Sequence, residues 1–249
     1  MSGTPEHVAR EARLIARGAL KGALATSRRA GRPQAQGHPY VSKVGVAVDQ
    51  GGAPIFLFST LAAHTQDLLV DPRASLLVEA PTTASNPLED ARCTLVGRVE
   101  LLSGFEVDAA RATYLARHPG AARYAGFGDF APWRMHVEKV HFVGGFGRAK
   151  WFKGTDYSSF APNLVRAQTE ILDGLNAEKS TDIYALAAHA MGRSVGRAGR
   201  GWQAVGLDAD GLCLRNEKGV SLRIDFVSAA HDVRGWKSRF QTMLKRAYA

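Results

Sequence analysis

The sequence predicts an α+β fold in two domains: a strand-rich region with inserted helices over residues 1–156 and a small α+β domain over residues 157–249. Three observations predict it. Apolar residues recur with period two through residues 40–59 and 93–102, the spacing of half-buried strands. No G-x-G-x-x-G follows a strand in a βαβ setting, which excludes a dinucleotide-binding parallel sheet. After Lys153-Gly154-Thr155-Asp156 the spacing turns helical, which marks a boundary between units of foldable size.

Residues 5–21 open with Pro5 and Glu6, suited to a first helical turn. They set Val8, Ala12, Ile15 and Ala19 on one face, an amphipathic helix with its arginines outside that Gly22 stops. Residues 23–26 read as a short strand and residues 31–39, rich in Gly and Pro, as a loop. From Tyr40, Val41, Lys43, Gly45 and Ala47 alternate with Ser42, Val44, Val46 and Val48. Asp49-Gln50-Gly51-Gly52 then turns the chain into residues 54–59, so 40–59 read as a β-hairpin. Thr60 reads as the cap of a helix through Leu61, His64, Leu68 and Leu69 that ends at Asp71-Pro72.

Strands follow over 74–80 and 93–102, with a Pro-containing loop between them and a helix over 105–118 ended by Pro119. Residues 135–151 read as two strands bent around Gly144-Gly145-Phe146-Gly147. In the second domain, residues 163–191 carry helical spacing and 192–201 form a Gly/Arg loop. Strands are expected at 203–208, 212–214 and 222–226, and a last helix carries Phe240, Met243 and Leu244.

Composition excludes several classes. The chain has 45% hydrophobic residues, enough for a core, but no apolar run of the ~18 residues that cross a bilayer, so a membrane partner is not expected. The charged N-terminal segment has no uninterrupted apolar stretch, which argues against a secretory signal and for the cytoplasm. Cys93 and Cys213 stand apart with no CxxC, so neither a disulfide framework nor a zinc site is expected. Net charge is +9, concentrated at the ends; Arg28-Arg29-Ala30-Gly31-Arg32 has no interleaved aromatic, which argues against nucleic acid.

Among catalytic and metal signatures, G-x-S-x-G, H-E-x-x-H, a Walker loop and an EF-hand loop are all missing. His136 and His141, five apart in an alternating segment, are expected on opposite faces. Three stretches could carry chemistry. Ser42-Lys43-Val44 is expected to face Ser59-Thr60 and the helix start at His64-Thr65, joining hydroxyls, a cation, an imidazole and helix N–H groups as an anion would require. A capped helix beside a polar strand end explains the same residues. The second stretch is Asp129-Phe130, and the third is the bend at Gly144–Ala149, where Phe146 could stack on a flat ring or simply fill a core.

The joint order of these motifs resembles the pyridoxamine 5'-phosphate oxidase-like split barrels, most closely the haem-utilisation (HugZ-like) branch. The resemblance rests on Ser42-x-Val44, Ser59, Ala63-His64-Thr65, Asp71-Pro72-Arg73-Ala74-Ser75-Leu76, Arg92-x-Thr94-Leu95-x-Gly97, Asp129-Phe130 and Gly144-Gly145-Phe146-Gly147-Arg148-Ala149. It covers residues 10–152, and residues 163–248 resemble the small α+β domain that often follows.

The resemblance implies an antiparallel six-stranded split β-barrel, a homodimer, and a ligand held between subunits. It places FMN phosphate near Ser59, Thr60, His64 and Thr65 and the flavin ring against Ser42, Lys43 and Val44. Haem-degrading relatives use a histidine downstream of the glycine bend and an aspartate matching Asp129. No histidine lies between His141 and His189 here, and Asn176-Ala177-Glu178-Lys179 stands where relatives end a helix in Asn-x-Asp-His. If haem is bound, His64 is the first candidate for its iron and His141 the second. The expected function is a flavin-dependent oxidoreductase; a haem-binding or haem-degrading protein and a non-catalytic cofactor carrier are the alternatives.

Overall fold

The computed structural model describes residues 4–27, 37–82, 85–145, 147–193 and 201–248. Two compact units divide the chain, Met1–Ser158 and Ser159–Ala249. The loops expected at 31–39 and 192–201 lie largely, and Phe146 entirely, outside the described residues.

In the first unit α1 (Pro5–Gly18) starts on Thr4, whose hydroxyl accepts from the His7 N–H. The helix ends at Gly18 rather than Gly22, because Ala19 is already extended and leads into β1 (Lys21–Ser27). Then come β2 (Pro39–Gly45), β3 (Ala47–Val48), β4 (Pro54–Ser59), α2 (Ala63–Val70), β5 (Arg73–Glu79), β6 (Arg92–Leu101), α3 (Glu106–Arg117), β7 (Phe130–Val143), β8 (Ala149–Lys153) and α4 (Gly154–Tyr157). The strands make one antiparallel sheet in the order β2-β1-β5-β6-β7-β4-β3, with β8 on β7. It curls until β2 nears β4, a split barrel of six long strands to which the short β3 and β8 are added.

The hairpin expected over residues 40–59 is not how β2 pairs. From Lys21↔Gly45 to Ser27↔Pro39 it pairs β1, and only β3 pairs β4. Gly45 marks the break: a Cβ there would run into the Tyr114 hydroxyl of α3, so a glycine is needed for that approach.

Val8, Ala12 and Ala16 of α1, Leu68 of α2 and Tyr157 of α4 fill the barrel with Leu24, Phe56, Leu76, Leu95, Met135 and Phe142. Each large apolar side chain buried there contributes about 2 kcal/mol. On the back of β4, Ala110 and Tyr114 of α3 pack with Ala47, Ile55 and Leu57. Arg13 and Arg17 are buried rather than outside. Carbonyl oxygens take up their guanidinium groups: Arg13 Nη1 donates to Tyr157 O at 2.6 Å, and Arg17 donates to Asp49 O and Gln50 O at 2.9 and 2.8 Å. Cations on an inward helix face are tolerated because each finds an acceptor.

The second unit contains α5 (Pro162–Glu178), α6 (Ser180–Ala190), β9 (Gln203–Asp208), β10 (Gly211–Arg215), β11 (Ser221–Asp225) and α7 (Val233–Tyr248), with sheet order β11-β10-β9. Trp236, Phe240, Met243 and Leu244 of α7 enter its core. Arg223 is buried between Asp208 and Asp225, donating from Nη2 to Asp208 Oδ1 and from Nε to Asp225 Oδ1, each at 2.8 Å. Such a pair locks strand register more than it adds stability, since desolvation offsets most of its attraction. Among the described residues no helix is long and apolar enough to cross a membrane.

Candidate functional site

The junction of β4 and α2 gathers part of the expected cluster. Register Ser59↔Phe130 lays the end of β4 beside the start of β7, which brings Asp129 to Ser59. Ser59 Oγ donates to Asp129 Oδ2 at 2.6 Å and accepts from the Leu61 N–H at 3.1 Å, while the Thr60 N–H donates to Asp129 O at 2.8 Å. Thr60 does not cap α2. Ala62 holds the cap position and offers no side-chain bond, so the first-turn N–H groups keep their partial positive charge unmatched by a side chain.

Behind that turn, Thr65 is fully buried, and among the described residues neither its Oγ1 nor His64 Nε2, also sealed from solvent, has a hydrogen-bond partner. The His64 ring meets Phe58 edge-on, 4.5 Å between centroids. Burial lowers its pKa below the usual 6.5, against the pull of the Asp67 carboxylate, so the imidazole is neutral at neutral pH. A sealed Nε2 offers an iron no approach at that nitrogen without unpacking the ring, which counts against His64 as the first candidate. Strand alternation also divides Ser42-Lys43-Val44. Val44 faces the core with Ser42 on its side, and Lys43 is exposed on the other.

The side of the sheet away from the core carries a second assembly. Pairing runs unbroken through Lys43, Ala23, Leu77, Thr94, His141 and Trp151, and beside it through Val41, Ala25, Ser75, Val96, Lys139 and Lys153. The middle of both rows is uncharged and half-buried, and Lys43, Lys139 and Lys153 stand exposed around it. The His141 and Trp151 rings stack, centroids 4.6 Å apart and planes 16° from parallel. A groove of about 670 Å³ indents this face, floored by Ala25, Ser75, Val96 and Gly97 and flanked by His38, Arg73 and Glu138.

One β-bulge decides which residues of β7 reach this face. Gly97 pairs with Val137 and Val96 with Lys139, so Glu138 is left over. Before it Trp133, Met135 and Val137 turn inward; after it Val140 and Phe142 do. The extra residue reverses the alternation, so His136 and His141 share the outer face instead of opposing each other. Gly97 and Gly154 make room for the bulge, since a Cβ on either would collide with the carbonyls of His136 and Val137. Among the described residues no three or more His, Cys, Asp or Glu side chains come together as metal ligands would.

Sequence reasoning missed Lys139, Trp151, Lys153 and Glu138. A signal was present: the apolar positions of β7 run 133, 135, 137 and then 140, 142, and a glycine interrupts the facing strand at 97.

The profile of the CREG beta-barrel family matches residues 3–159. The noncanonical heme oxygenase HOZ of Arabidopsis thaliana, a chloroplastic protein, is 28% identical over 247 residues, which cover 95% of this chain and 73% of that one. A protein of unknown function from Agrobacterium tumefaciens superposes with a TM-score of 0.75 at 26% identity, over 99% of this chain and 97% of its own. A heme binding protein from Mycobacterium smegmatis superposes with a TM-score of 0.58 at 31% identity, over 97% of each chain.

Proposed function

The chain belongs to the CREG beta-barrel family, and we propose that it binds haem on the outer face of its sheet, within a homodimer whose second copy closes that face. The observation that carries this reading is the double row of paired residues. Its floor from β1 to β6 spans two strand spacings, about 10 Å, and holds only uncharged side chains, with Lys139 and His141 of β7 at its edge, which suits a flat apolar macrocycle. The lysines around it suit that ring's two carboxylates. The relatives from Mycobacterium smegmatis and Arabidopsis thaliana, named for heme binding and heme oxygenase, support the same ligand.

Bound haem would supply an iron centre for oxygen and electron chemistry. The chain's part is to hold and shield it: Lys139 and Lys153 neutralise carboxylates, and Ala25, Ser75, Leu77 and Val96 keep water from the ring. With haem breakdown as its reaction the protein is an oxidoreductase; without it, a cofactor carrier.

FMN is the second reading, favoured by one observation: the uncapped start of α2 with Thr65 Oγ1 and His64 Nε2 unpartnered beside it. The Asp129 carboxylate on Ser59 opposes it, because a phosphate there would meet a like charge. Titrating hemin and FMN separately into the purified protein tests both. Haem should give a Soret band, and Lys139→Glu with Lys153→Glu should weaken it at least tenfold; Thr65→Val, which keeps the buried volume and removes only the hydroxyl, should leave it unchanged. A flavin spectrum weakened by Thr65→Val, with no Soret band, would overturn the haem reading.

A further inference from the structure

The haem reading leaves open which side chain meets the iron, and the inference here rests on that reading. We propose that His141 is the axial ligand and that Trp151 is the positioning residue that fixes its ring. An imidazole whose ring is already held in place loses less entropy on ligating a metal than one that rotates freely. Stacking at 4.6 Å and 16° fixes the plane of His141, and among the described residues no hydrogen bond occupies either ring nitrogen.

The fold also places this residue specifically. Without Glu138 as an extra residue, His141 and Lys139 would turn into the barrel with the strand's other half. Two glycines, Gly97 and Gly154, yield their side-chain space to that bulge. The bulge thus delivers an imidazole and a cation together to the face that bears Lys153 and the uncharged floor. A ring nitrogen can ligate iron, and ammonium groups can pair with carboxylates.

The other histidines of this face or near it fit less well. His64 has a sealed Nε2. His136 is exposed, and among the described residues no aromatic ring stacks on it; the arginines across from it, Arg98 and Arg73, are already paired with Glu100 and Asp71. His38 flanks the groove just before β2, and among the described residues no aromatic ring stacks on it.

The test is a hemin titration of the full chain, read by the Soret position, the spin-state bands and electron paramagnetic resonance. Wild type should show a histidine-ligated spectrum. His141→Gln should lose that signature and weaken binding at least tenfold, and added imidazole should restore the signature, which only a folded site with a vacant ligand position can do. Trp151→Phe should keep the wild-type spectrum, whereas Trp151→Leu should shift it toward mixed spin. His38→Ala should change neither. A His141→Gln spectrum identical to wild type, or loss of ligation in His38→Ala alone, would overturn the assignment while leaving haem binding intact. No Soret band in wild type would remove the haem reading itself.

Discussion

Two histidines hold their rings in places that favour the neutral form. His64 is lowered by burial against Phe58, and His118 is lowered by burial despite its bond to the Val46 carbonyl at 2.9 Å, with Arg117 lowering it further. Both therefore bind a proton less readily folded than unfolded, where the value is 6.5. Above 6.5 neither state carries the proton and stability is full; as pH falls below it the unfolded chain protonates first, so stability drains as pH drops through the lowered folded values. Urea midpoints measured from about pH 7.5 down to about pH 5.5 should fall, and His64→Phe, which keeps a ring against Phe58, should reduce the fall. A wild-type midpoint flat over that window would show that neither ring is held as described. At Ser59 the same residue scale explains a shared role. Its hydroxyl donates to Asp129 and accepts from Leu61, so a residue expected to meet a ligand already ties β4 to β7.

The bulge between β6 and β7 has the largest consequence of any single element. A strand read by alternation alone would send either His136 or His141 inward, and the one unpaired residue, Glu138, sends both outward. Its geometry depends on Gly97, where a Cβ would strike the His136 carbonyl, backbone that cannot swing aside as a side chain can. Gly97→Ala should cost about 2 kcal/mol or more, seen as a lowered melting temperature, from overpacking. If the variant melts like wild type, the bulge is not held by the missing Cβ. The arginines of α1 make a similar point. Arg13 and Arg17 face inward because the carbonyls of Tyr157, Asp49 and Gln50 are there to receive them, and those carbonyls come from segments distant in sequence.

For the whole molecule, the outer face of the first unit departs from what a solvent-facing sheet normally shows. Ala23, Ala25, Leu77 and Val96 stand where alternating polar residues are the rule, while α1, α2 and α4 pack into the inner side. A second copy of the chain is the partner we expect there, with the face shared about a two-fold axis. Ala25→Arg places a charge in the middle of that floor. Sedimentation at micromolar concentration should give twice the chain mass for wild type and the chain mass for the variant. A wild-type monomer would remove the dimer, and a dimeric variant would move the interface elsewhere.

Local pattern by itself determined most of the element order and the three strands with flanking helices in the second unit, because periodicity and turn chemistry act over a few residues. Motif order brought out the split barrel, since its strands and loops recur in a fixed succession. Only the tertiary structure decided which strand β2 pairs and that Asp129 joins Ser59. It alone brought Lys139, His141, Trp151 and Lys153 onto one face. Those outcomes depend on the partner strand, on register and on one unpaired residue. Pairing across a sheet joins positions far apart in the chain, and a shift of one residue exchanges the two faces of a strand while leaving its composition unchanged.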